Sequence, residues 1–123
     1  MKIPAFSLVM FGGTGDLAMR KLLPALYQSF LDGAFESSSR VICAARTSYT
    51  NETYREWMNE AVKPNVNDRF DEQRWQEFLQ CVVYLPFNAT DANSFVELKN
   101  LLDTQDANNQ RVFYLAVAPS IFD

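Results

Sequence analysis

The chain has no histidine and only two cysteines among its 123 residues. Histidine is the commonest general base and the commonest metal ligand. Without it, acid–base chemistry by this chain alone would fall to carboxylates, lysine or tyrosine, and a zinc site is not expected. Cys43 and Cys81 sit inside apolar runs and read as buried small hydrophobes, not as a disulfide framework. No run of about 18 apolar residues occurs, so no transmembrane helix is expected. The apolar stretch from Ile3 to Phe11 runs straight into a glycine turn and lacks the form of an export signal, which makes the cytoplasm the default location. Lys and Arg number 11 against 15 Asp and Glu, a net charge of −4. That balance lacks the basic stripe of a nucleic-acid binder. Neither a nucleic-acid nor a membrane partner is therefore expected.

What is present is an alternation of short apolar runs with longer helical periods. Ala5 to Phe11 is nearly continuous in apolar residues, the mark of a strand buried on both faces. From Asp16 the spacing becomes helical through Leu17, Leu22, Leu23, Leu26, Tyr27, Phe30 and Leu31, with Gly33 as a stop. Pro24 should kink this helix or end its first segment, because it has no amide hydrogen to donate. Arg40 to Arg46 reads as a second strand. Thr50 or Asn51 then caps a helix, and Asn67 or Asp68 begins another. Cys81 to Leu85 forms a third strand, Thr90 or Asp91 caps a further helix, and Arg111 to Val117 is a fourth strand. The stretches 36–39 and 104–110 read as polar surface loops. The resulting order, β-α-β-α-α-β-α-β, predicts an α/β domain with a doubly wound parallel sheet, Rossmann-type or flavodoxin-like.

The most informative segment is Gly12-Gly13-Thr14-Gly15, placed between the first strand and the first helix. Residues Gly13 to Ala18 fit G-x-G-x-x-A, and Gly12, Gly15 and Ala18 fit G-x-x-G-x-x-A. Either pattern lets the backbone approach a pyrophosphate, with small Ala18 allowing close helix–strand packing. The positive end of the helix would then face the phosphates. A P-loop is excluded, because Arg20 and Leu22 stand where that motif needs glycine and Ser or Thr. The alternative is a plain glycine-rich connection.

The second strand ends at Arg46-Thr47. A dinucleotide fold that prefers NAD usually places Asp or Glu there, about 20 residues after the motif, whereas a 2′-phosphate calls for a cation. Arg46 follows Gly15 at a longer interval, as a long first helix and loop would cause. Its planar fork suits phosphate; otherwise it is a solvated arginine beyond a strand. Arg20 and Lys21, just past the glycine turn, read on their own as exposed helical cations.

The run Phe11-Gly-Gly-Thr-Gly-Asp-Leu-Ala-Met-Arg-Lys-Leu-Leu-Pro-Ala-Leu-Tyr27 resembles the N-terminal fingerprint of the glucose-6-phosphate dehydrogenase family. Ala44-Ala-Arg-Thr47 and Tyr114-Leu-Ala-Val-Ala-Pro119 resemble that family at the ends of the second and fourth strands. The resemblance implies an enzyme that oxidises glucose 6-phosphate to 6-phosphogluconolactone in the pentose phosphate pathway, with NADP or in some members NAD as cofactor. By the same resemblance, Gly12, Gly13, Thr14, Gly15, Asp16 and Leu17 would hold the cofactor phosphates. Arg46 and Thr47 would hold the 2′-phosphate. Asn88 and Ala89 would border the adenine, Pro119 would lie near the nicotinamide, and Lys21 would face the reaction centre or substrate. Asn88 departs from the aspartate more usual there.

The family's sugar-phosphate site and catalytic histidine–aspartate pair belong to a long C-terminal domain with no counterpart here. Residues 1–123 therefore read as one NAD(P)-binding domain, the N-terminal fragment of a larger enzyme and inactive alone, with a parallel sheet truncated after the fourth strand. A homo-oligomer is expected. A second reading keeps the Rossmann fold as a non-catalytic nucleotide-binding or interaction module. A reductase with a Tyr-x-x-x-Lys pair is excluded, because Tyr27, Tyr49, Tyr54, Tyr84 and Tyr114 all lack lysine four residues on.

Overall fold

A computed structural model describes residues 5–36, 38–66, 68–105 and 109–115. The apolar runs form strands β1 (Phe6–Phe11), β2 (Arg40–Ala45), β3 (Val82–Pro86) and β4 (Gln110–Leu115). All pairings are parallel, in the order β3-β2-β1-β4. The order turns back at β1, since the chain steps outward from β1 to β3 and then crosses to the other side for β4. Such a reversal is the topological switch point of a doubly wound sheet, where ligands bind beyond the strands' carboxyl ends.

Helices cover both faces. On one, α1 (Leu23–Leu31), α2 (Asn51–Trp57) and α3 (Glu72–Gln80) pack on Met10, Val41, Cys43, Val82 and Tyr84. On the other, Leu98 and Leu102 of α4 (Ala92–Gln105) pack on Val9, Ile42 and Ala44. Successive β2 residues thus alternate between two cores, which is why the strand reads as a continuous apolar run. Trp75 is fully buried and donates its indole hydrogen to Asn59 Oδ1 at 2.7 Å. Burying a ring of that size contributes about 2–3 kcal/mol, and the hydrogen bond removes the cost of an unpaired donor.

Several boundaries differ from the sequence expectations for identifiable reasons. Pro24 does not stop the helical run, which continues from 16 to 31, but the run changes character just before it, and Pro24 sits in the first turn of α1. Ala18–Leu22 widens into a π turn in which Leu23 N–H donates to Ala18 O. The wider ring accommodates the amide that proline lacks. Gly33 does end the helix, at φ 83°, with its N–H on Phe30 O at 3.1 Å and Ala34 N–H on Ser29 O at 3.0 Å, a Schellman closure. The helix expected from Asn67 or Asp68 begins later, capped by Asp71. The polar surface loop expected at 36–39 has one described residue that is not at the surface. Ser39 is buried, and its hydroxyl accepts the amides of Phe6 and Glu36, each at 3.2 Å. Cys43 is buried and Cys81 only partly so; both are free thiols. Among the described residues, no helix is long and apolar enough to cross a membrane.

Candidate functional site

β1 ends at Phe11, between Ala44 of β2 and Leu115 of β4. Beyond it the glycine turn folds back against β2. Gly12 N–H and Gly13 N–H both donate to Ala44 O, at 2.8 and 3.3 Å. Gly12 has φ 88°, the left-handed conformation that favours glycine. Gly13 is needed for a different reason: a Cβ there would lie 2.7 Å from the Cβ of Cys43. Gly15 N–H closes the turn on Gly12 O at 3.0 Å, and Gly15 O accepts Met19 N–H at 3.0 Å to open the helix. Gly15 has no side chain with which to cap that helix. Ala18 is fully buried against the sheet, as close helix–strand packing requires.

The polar side chains of this segment lie at the surface. Asp16 is exposed and pairs with Arg20 at 2.9 Å. Leu17 is exposed and Thr14 half-buried. Lys21 is exposed on the π turn.

At the neighbouring strand end, Arg46 and Thr47 are exposed. Arg46 lines a cleft of about 310 Å³ with Pro86, Phe87, Asn88 and Ser94. The structure thus joins two sequence candidates, Arg46 and Asn88, in one cavity, while Lys21 is not among its lining residues. Asn88 shapes its own loop: its Oδ1 accepts Thr90 N–H at 3.0 Å and the Thr90 hydroxyl at 2.8 Å. Ala89 is exposed in the same turn. Ser94, buried on α4, accepts Asn88 N–H at 3.0 Å. Pro119 lies outside the described residues.

Sequence reasoning missed what stands beneath both loops. The Tyr54 hydroxyl donates to Gly13 O at 2.6 Å, and the Tyr84 hydroxyl to Thr47 O at 2.5 Å, with Ala45 O at 3.1 Å. The two rings stack 4.7 Å apart, and Tyr49 packs edge-on against both. Burial pushes the Tyr54 hydroxyl well above its ordinary range, with the neighbouring Cys43 adding to the effect. Burial likewise takes Tyr84 to about 12 and the Cys43 thiol to about 12. At neutral pH these groups are protonated donors, not anions. Their only sequence signal was a polar-tipped aromatic within an apolar pattern, and nothing in the spacing joins Tyr54 to Gly13.

Fold and site together define a Rossmann-type domain for a nicotinamide dinucleotide. The glycine turn at the switch point has a left-handed Gly12 and a Gly13 packed too tightly on β2 to carry a side chain, and it leads into a helix that opens on a glycine, a form that fits a pyrophosphate.

The chain belongs to the glucose-6-phosphate dehydrogenase family: residues 9–123 match the model of that family's NAD binding domain. It is 39% identical over 121 residues to the glucose-6-phosphate 1-dehydrogenase of Rhizobium meliloti (strain 1021), covering 98% of this chain and 24% of that protein. With the enzyme of Bacillus subtilis (strain 168) the identity is 33%, over 97% of this chain and 24% of the relative. Among solved structures, a glucose-6-phosphate dehydrogenase in complex with its substrate glucose-6-phosphate superposes with TM-score 0.81 at 30% identity, over 99% of this chain and 27% of the other. The enzyme from Mycobacterium avium superposes with TM-score 0.82 at 28% identity, over 98% of this chain and 25% of the other. The chain thus spans about a quarter of the length of the relatives it matches.

Proposed function

We propose that this domain binds NADP as the N-terminal cofactor-binding part of a cytoplasmic, homo-oligomeric enzyme. That enzyme oxidises glucose 6-phosphate to 6-phosphogluconolactone, a reaction of the pentose phosphate pathway. The observation that carries the cofactor preference is the position of Arg46: exposed, at the carboxyl end of β2, in a cleft shared with Asn88. Among the described residues no acidic side chain lines that cleft, whereas a site built for NAD would present one to the ribose.

In this reading the turn from Gly12 to Gly15 and the helix amides after it hold the pyrophosphate. Arg46 and Thr47 hold the 2′-phosphate, with Asn88 and Ala89 beside the adenine. Pro119 borders the nicotinamide and Lys21 faces the sugar phosphate. Bound NADP supplies a hydride acceptor for the anomeric carbon of the sugar. The hydroxyl proton lost in that oxidation needs a base. The chain has no histidine, and we assign the base to the part of the enzyme that these residues do not span.

Titrating the chain with NADP and with NAD, with and without Arg46→Ala, tests the proposal. Losing a charge-assisted contact costs about 1.5–3 kcal/mol, or roughly 10- to 150-fold in affinity. That loss is expected for NADP alone, with NAD binding nearly unchanged. Equal NADP affinity in the two proteins would remove Arg46 from the 2′-phosphate site.

A further inference from the structure

We propose that Tyr84 is a positioning residue for cofactor selectivity, and that Tyr54 serves the part of the cofactor common to NAD and NADP. The inference rests on the nucleotide-binding reading above and deepens it. Both side chains are buried, and each hydroxyl meets its loop at a backbone carbonyl, while the ring of Tyr49 packs edge-on against both. In a planar trans peptide the C=O and the following N–H point in opposite directions. Tyr54 draws Gly13 O inward at 2.6 Å and so turns the Thr14 amide away from the core, toward the pyrophosphate side of the cradle. Tyr84 draws Thr47 O inward at 2.5 Å, which turns the Ser48 amide outward next to the side chains proposed to meet the 2′-phosphate.

Tyr84 is itself well fixed. Its amide donates to Asn51 Oδ1 at 2.7 Å, at the start of α2. Its strand position is opposite Cys43, the residue whose Cβ bars any side chain at Gly13. Tyr54 comes from α2 and also stacks on Trp57, 5.1 Å away. The stacked pair therefore joins two loops from different strand ends into one rigid support. Each phenol nevertheless has a separate target: the cradle used by either dinucleotide for Tyr54, and the Arg46–Thr47 segment for Tyr84.

This division gives the two hydroxyls different signatures. In the full 123-residue chain, Tyr84→Phe is expected to weaken NADP about fivefold to tenfold, the scale of one hydrogen bond, and NAD less than twofold. Tyr54→Phe is expected to weaken both by the same factor. In the ligand-free proteins, amide exchange should quicken at 46–49 for Tyr84→Phe and at 13–15 for Tyr54→Phe. A merely structural role would lower the melting temperature without changing the NADP:NAD ratio. An unchanged ratio in Tyr84→Phe overturns the proposal while the nucleotide reading stands, and so does a selective NADP loss in Tyr54→Phe. If the unsubstituted chain binds neither nucleotide, both readings fall together. Should Tyr84→Phe not fold, Tyr54→Phe still decides, through its equal or unequal effect on the two nucleotides.

Discussion

A methyl group at Gly13 would have nowhere to go. Its Cβ would meet the Cβ of Cys43 at 2.7 Å, the Cα of Cys43 at 3.3 Å and the Tyr54 hydroxyl at 3.2 Å. Cys43 lies inside β2, paired with Met10 on one side and Tyr84 on the other, so the strand cannot move aside without disturbing the sheet. Gly13→Ala is therefore expected to destabilise the fold by about 1–3 kcal/mol, the usual cost of forcing a methyl into a packed site. Because relief requires the turn to lift off Ala44 O, nucleotide affinity should fall as well. Urea unfolding checks the first effect, and an unchanged midpoint would contradict it. The glycine motif itself was legible in the sequence, because its chemistry is local: a strand, a turn and a helix in succession. Tyr54 and Tyr84 were not legible. Their contacts reach across 41 and 37 residues and act on backbone atoms, which leave no mark on residue type.

Among the elements, strands were easier to read than helix starts. The first three strands lie within about a residue of their apolar runs, because burial on two faces leaves little freedom in register; the fourth begins within a residue of its run, and its expected end at Val117 lies outside the described residues. Helix starts depend on which of several capping residues is used. Around α3 the chain offers Asn67, Asp68 and Asp71, all good caps by type. Tertiary contact decides among them. Asp71 N–H donates to the Tyr27 hydroxyl at 3.1 Å, and that hydroxyl faces Asp71 O at 3.1 Å. The Asp71 carboxylate then accepts Gln73 N–H and Arg74 N–H, at 3.0 and 3.4 Å. Tyr27 belongs to α1, 44 residues earlier, so no local pattern could have selected it. Asp71→Ala should cost about 1 kcal/mol, whereas Asp68→Ala should stay within about 0.5 kcal/mol. Thermal melts of the two variants compare them directly, and equal losses would return the cap to the earlier residue. The π turn before Pro24 was hidden for a related reason. The sequence showed an obstacle, and only the packed helix shows that the chain passes it by widening.

At the scale of the whole domain, the described residues cover the sheet unevenly. β2 lies beneath helices on both faces, while β4 pairs only with β1 among the described residues. Val112, Phe113 and Tyr114 of β4 are 47%, 55% and 44% exposed, although adjacent strand residues point to opposite faces. Among the described residues, apolar side chains are therefore open on both faces of a strand that has a partner on one side only. Exposed edges of this kind pair with other chains unless charge, proline or a covering element blunts them. Here the described blunting is slight: Arg111, at the strand's start, is occupied with Asp103 at 2.7 Å, and the three residues after it carry no charge. The 123-residue chain is accordingly expected to self-associate through β4, more so at higher concentration and on addition of sulfate, which strengthens apolar burial. Phe113→Lys should reduce association by placing a charge on the edge. Its cost to the fold should be small, because Phe113 is half exposed and stacks only loosely on Phe11, at 6.4 Å. Sedimentation velocity over a wide concentration range separates the outcomes. A sharp monomer boundary throughout, identical in the two proteins, would show that β4 is not the associating edge.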